Sequence, residues 1–215
     1  MSDAADGVQA LSAAQAALVT VSAAIASGDS RSVEEEARRA IAAGARAGEI
    51  YEAVLQSYLF LGFPRAIEGL FAVHAVLERA GGLPSKAAEG SPADWRSAGE
   101  ALCRKVYGKN YEKLMETMRG LSPDLADSMI LEGYGKTLSR PGLGAVEREY
   151  CVVAILTVTR MERQLRSHAM GAVNVGGSRA GVRESIARSS PWAGEDAVRR
   201  ALEVTRLQRE GHARG

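Results

Sequence analysis

Apolar residues recur along this chain at helical spacing, and runs of β-branched residues long enough to make a strand are scarce. Within 33–43, Val33, Ala37, Ala40 and Ile41 share one helical face, and Gly44 stands where a helix would stop. A second stripe begins near Gly48 with Ile50, Val54, Leu55 and Tyr58. It reaches Gly62-Phe63-Pro64, where the missing N–H of Pro64 predicts a kink or restart. A further helix is expected from Ala66 to Glu78, and the Gly/Pro/Ser-rich segment 81–95 reads as a linker. Beyond it helices are expected at 96–106, 109–119 and 123–134, then, after the RPGL turn at 140–143, at 145–159 and 162–175. Tyr150 to Val158 alone has the Val/Ile/Thr content of a buried strand, and its helical neighbours outweigh that. The expected fold class is all-α.

A shift of 132 residues lays 18–62 on 150–194 without a gap. Gly44 falls on Gly176, Glu52 on Glu184 and Gly62 on Gly194. Eight identities are little more than helix-rich composition gives, so the weight rests on the matched apolar positions Val33/Leu165, Ile41/Val173, Ile50/Val182 and Val54/Ile186. They predict two diverged tandem repeats, 1–80 and 96–215, joined by the linker 81–95. Pro191 is expected to interrupt in the second repeat a closing helix that runs on in the first.

A formal net charge of +1 leaves no electrostatic footprint for nucleic acid or an anionic membrane. The apolar runs fall well short of the roughly 20 residues that span a bilayer. The N-terminus carries acids rather than a basic stretch, so it does not read as a signal peptide, and a cytoplasmic location is expected. Cys103 and Cys151 stand far apart with no CxxC or Cys/His cluster, which speaks against a disulfide scaffold or a metal site.

The stretch Tyr134 to Val175 holds YGKTLSRPGL, then ERE, then LRSHAMGAVNV, and it resembles the signature of the carboxymuconolactone decarboxylase family. VLQSYLFLGFPRAIEGL (54–70) is similar to that family's closing segment. The resemblance implies an alkylhydroperoxidase-like helical bundle. The family's thiol peroxidases carry Glu, Cys twelve residues later, Cys three after that and His four after that. On this chain those positions read Glu149, Met161, Gln164 and His168, so the proton-handling pair is present and both redox cysteines are absent. The first repeat carries Ala17 and Glu36 where the second has Glu149 and His168, which implies one site per chain.

By the resemblance, the activity is cofactor-independent, metal-free decarboxylation or proton transfer on a small carboxylated lactone or related acid. His168 would be the acid that reprotonates carbon, with Glu149 orienting it. Substrate carboxylates call for arginine, and Arg148, Arg140 and Arg160 are nearest in sequence. Tyr58 and Phe63, with Phe60, are candidate walls for a planar substrate, although an aromatic stripe is more often core. A non-catalytic binding or assembly protein of the same fold stays open, and a thiol peroxidase is disfavoured. The family's oligomers imply a homo-oligomer, with a trimer expected. Cys151 reads as buried and inert, His74 as structural, and His212 as part of a ragged tail.

Overall fold

The computed structural model describes residues 11–83 and 90–206, and every regular element among them is helical. His212 lies outside the described residues. Four helices come first: α1 (Ala13–Ser27), α2 (Ser30–Ala42), α3 (Ala47–Gln56) and α4 (Tyr58–Arg79). A middle set follows: α5 (Pro92–Tyr107), a 3-10 turn (Gly108–Asn110), α6 (Tyr111–Leu121), α7 (Pro123–Ser128) and a π-helix (Met129–Leu138). The last set is α8 (Ala145–Val158), α9 (Glu162–Asn174), α10 (Arg179–Arg188), α11 (Ser190–Ala193) and α12 (Glu195–Thr205).

Several boundaries differ from the sequence expectation for local reasons. α5 starts at Pro92, not 96, because Ser91 and Asp94 form a reciprocal capping box and Pro92 occupies the first turn. Residues 92–95, read as the end of a linker, are therefore helical. The single helix expected over 123–134 is α7 followed by the π-helix, which runs to Leu138. Gly133 and Gly135 give that stretch little α-helical preference of its own. Its backbone also touches α5: a Cβ on Gly99 would fall 2.2 Å from the Ile130 carbonyl oxygen, and one on Gly135 only 2.0 Å from that of Trp95.

α4 breaks at Gly62 (φ 78°, ψ 166°), two residues before the proline that predicted the kink. Pro64 thus sits in the first turn after the break, where no N–H is needed. The second half follows the same course. α11 ends at Gly194 (φ 80°, ψ 157°) and α12 continues from it, so the closing helix is kept and not interrupted as expected. Pro191 lies in the first turn of α11, where its missing N–H costs nothing.

The offset of 132 residues that relates the two sequence stretches also relates the helices. It carries α1 onto α8, α2 onto α9, α3 onto α10, the first turn of α4 onto α11, and the remainder of α4 onto α12. Val33 and Leu165, Ile50 and Val182, and Val54 and Ile186 are buried at matching positions. α1 packs along α8. Between them Gln15 Nε2 donates to Glu147 Oε1 at 2.8 Å, and these two residues are themselves 132 apart.

The cores interlock across that seam. The first, from α1–α4, takes in Cys151 of α8; the second, from α8–α10 and α12, takes in Val19 and Ala23 of α1. α5 to the π-helix close a third core, against which Leu59 and Val175 pack. α8 is buried from Arg148 to Thr157, so the strand-like composition of Tyr150 to Val158 reports a helix enclosed on every side. Among the described residues α4 alone is long and apolar enough to cross a membrane by length and composition. Gly62 interrupts it, and Val73, Val76 and Leu77 of its inner face belong to the first core.

Candidate functional site

α8 and α9 run side by side and bring Glu149 and His168 together in the interior. Nδ1 of His168 lies 2.9 Å from Oε2 of Glu149, and the two side chains are only 5% and 4% exposed. The room for the carboxylate comes from α9 itself. A Cβ on Gly171, one turn after His168, would lie 2.9 Å from Glu149 Oε2 and 2.7 Å from Val106. A carboxylate at Nδ1 fixes the ring proton there and leaves Nε2 as the nitrogen free to take or give a proton.

The surroundings of the imidazole come from the other two helix sets. Phe60, in the first turn of α4, meets the ring edge-on at 5.5 Å, and Tyr107 at the end of α5 does so at 6.4 Å. The Tyr107 ring in turn meets that of Tyr134 on the π-helix edge-on at 6.3 Å. Burial pushes the Tyr107 phenol up to about 12 and holds Tyr134 well above the ordinary range, so both stay protonated. The Cys103 thiol on α5 is likewise pushed up to about 12, first by burial and then by the charge of Glu149. Such a thiol is not a nucleophile near neutral pH. Gly171 belongs to α9 and Tyr134 to the signature stretch, whereas Tyr107 and Phe60 reach the imidazole only because α5 and the first turn of α4 pack here.

Arg148 does turn inward, yet it meets neither Glu149 nor His168. Its guanidinium, 2% exposed, binds Glu52 Oε2 at 2.8 Å, Gln56 Oε1 at 3.2 Å and the carbonyls of Leu143 and Arg140. Arg140 binds the same Glu52 at 2.9 Å. Two of the three arginines expected to hold substrate are therefore spent on a buried ion-pair network joining α3 to α8. Arg160 is exposed at the α8–α9 turn, in left-handed backbone (φ 58°), beside Arg199 and Arg200.

Tyr58 stacks on Phe63 at 5.0 Å and its hydroxyl is 2.7 Å from Thr137 Oγ1, while Phe63 itself is 68% exposed. Met161 and Gln164, the positions of the peroxidase cysteines, are exposed. Cys151 is fully buried and pushed up to about 12 by burial. His74, expected to be structural, stands half exposed on α4 beside Glu78. Among the described residues no group of three His, Cys, Asp or Glu side chains is placed to hold a metal ion.

Phe60 has a counterpart 132 residues on, Trp192, whose Nε1 donates to Ser32 Oγ of α2 at 2.8 Å. The first turn of α4 thus covers α9, and the first turn after α10 covers α2. The crossing is reciprocal, but only one of the two sites holds a Glu–His pair.

Comparison with known proteins bears on this site. The model of the carboxymuconolactone decarboxylase family matches residues 123–207, which include Glu149 and His168. Peroxisomal protein 2 of Schizosaccharomyces pombe is 29% identical over 134 residues, 61% of this chain. The chain spans only 62% of that protein's length. An uncharacterised 15.0 kDa protein of Paracoccus denitrificans, from the nqo9–nqo10 intergenic region, is 32% identical over 92 residues. That similarity covers 42% of this chain and 69% of the other.

Proposed function

The chain belongs to the carboxymuconolactone decarboxylase family, and from that premise we propose cofactor-independent proton-transfer or decarboxylation chemistry on a small carboxylated lactone or related acid. The observation that carries the reading is the buried Glu149–His168 bond. Loss of CO2 from such a substrate leaves the electron pair of the broken C–C bond on an enolate-like carbon. Nε2 of His168 delivers the proton that quenches it, and Glu149 stabilises the imidazolium formed in the cycle. The Tyr107 hydroxyl, kept protonated by burial on a ring 6.4 Å from the imidazole, suits an enolate oxygen as a neutral donor.

One observation favours a second reading, a non-catalytic binding or assembly module. Arg148 and Arg140 are both engaged by Glu52, so these two arginines are not free to hold the substrate's carboxylates. A thiol peroxidase has little support, because Met161 and Gln164 cannot form its disulfide and both cysteines are buried. The recurrence at 132 residues and the Gln15–Glu147 contact support a further part of the proposal, a duplicated domain whose two copies pack as a dimer does, with one competent site.

The deciding experiment screens wild type, His168→Ala and Glu149→Gln for CO2 release and calorimetric binding against carboxylated lactones and muconates. Turnover in wild type, lost in a folded His168→Ala protein and reduced in Glu149→Gln, is the expected result. Binding without turnover would move the balance to the binding module, and silence across the panel would sink the enzymatic reading.

A further inference from the structure

A groove runs between α9, α10 and the end of α12, with a cavity of about 310 Å3. Its apolar floor includes Ala169, Val173 and Val182, and its rim carries Arg166, Arg179 and Arg206. No carboxylate lines it among the described residues. Several arginines elsewhere are held by acids, among them Arg96 by Asp127, Arg148 by Glu52 and Arg200 by Glu162. Here two of the guanidiniums are held by backbone carbonyls that α12 cannot satisfy within itself. Arg166 Nε donates to the Val204 carbonyl and Arg179 Nη2 to that of Arg206, both at 3.2 Å. Each contact uses one of a guanidinium's five N–H groups, so positive charge and spare donors stay gathered at the mouth of an apolar slot.

We propose that this groove binds a small organic acid, with the carboxylate on the arginine rim and a short apolar body on the floor. The charge pattern matches that chemistry and no other part of it is shared by the first half. At the corresponding positions stand Glu34, Ala47 and His74, and Glu34 is paired with Arg38. Arg166 and Arg179 fix the head group bidentately, the geometry in which guanidinium surpasses ammonium. The volume lies at the small end of the ~300–1,000 Å3 range of ligand pockets, which selects a body of a few carbons. The site is separate from the Glu149–His168 pair and does not depend on that pair being catalytic.

Calorimetry on the full chain with hexanoate, hexanol and inorganic phosphate tests it. Hexanoate binds wild type with a Kd below about 1 mM, and hexanol and phosphate each bind at least tenfold more weakly. The double substitution Arg166→Ala/Arg179→Ala weakens hexanoate at least tenfold. Because it also removes contacts to the end of α12, Met170→Glu is the second variant. It places a carboxylate on the exposed rim one turn from Arg166, leaves both carbonyl contacts in place, and produces the same loss. Hexanol binding as tightly as hexanoate would overturn the role of the arginines, and phosphate doing so would overturn the role of the floor. Failure of hexanoate to bind, or binding indifferent to both variants, overturns the site.

Discussion

In the second half α9 buries His168 against Glu149 of α8; at the corresponding places the first half has Glu36 and Ala17. Glu36 is buried too, but its partner is Arg39, one turn away on the same helix. On the closing helices the contrast runs the other way. α4 exposes Phe63, Ile67 and Phe71, whereas the same face of α12 carries Glu195, Arg199 and Glu203. Both halves bury charge, but the second sets Glu149 against His168 on the next helix while the first sets Glu36 against its own helix and Glu52 against Arg148 and Arg140. Side-chain chemistry at a given site depends on what packs against it, and there the two halves differ.

The sharpest way to break the comparison is the Glu52 network, which the second half does not repeat. Among the described residues Glu184 there accepts the Leu11 N–H and pairs with Arg188. Glu52→Ala leaves the buried Arg148 without a counter-charge and should destabilise the chain by about 3–5 kcal/mol in chemical denaturation. Glu184→Ala, at a half-exposed site, should cost no more than about 1 kcal/mol. Equal losses would mean that the seam is held by packing alone.

A smaller effect is expected at the two breaks. Gly62→Ala and Gly194→Ala each force a side chain into backbone that suits glycine, at a cost of about 1–3 kcal/mol apiece. Similar losses in both variants would sharpen the correspondence, while a silent Gly194 variant would undo it. At the surface, Phe63→Asp with Phe71→Asp should change folding stability by less than about 0.5 kcal/mol. If the chain self-associates through the α4 face, the double variant elutes smaller in light-scattering chromatography, and Arg199→Glu on α12 does not.

The mildest expectation concerns pH. Cys103, Cys151 and Tyr107 are all raised to about 12 by burial, from ordinary values near 9 and 10. The unfolded chain therefore loses these protons first. Stability is full below about pH 9 and declines as pH rises towards 12. Denaturation midpoints should fall across that window, and less so in Cys151→Ala. The folded protein should leave both thiols unreactive to a disulfide reagent at pH 8, and rapid labelling would contradict their burial.

Much of this was legible in the chain. The helical period predicted the fold class, Pro64 pointed to a break that falls two residues earlier at Gly62, and the family resemblance picked out Glu149 and His168, which do meet. Each signal is local, or repeats with the pitch of a helix, so it survives without knowledge of the neighbours. The expectation that Pro191 ends a helix failed because a proline's effect depends on which turn it occupies. Arg148 shows the limit best. The sequence placed it one residue from Glu149 as a candidate substrate ligand, but a helix sends adjacent residues about 100° apart, and its partner Glu52 lies 96 positions away. Tyr107 and Phe60 reach the site from α5 and α4, and nothing in their own segments links them to His168. The order of helices was written in the sequence; which charges neutralise one another and which side chains close over the imidazole were decided only by packing, because contacts between distant segments leave no periodic trace along the chain.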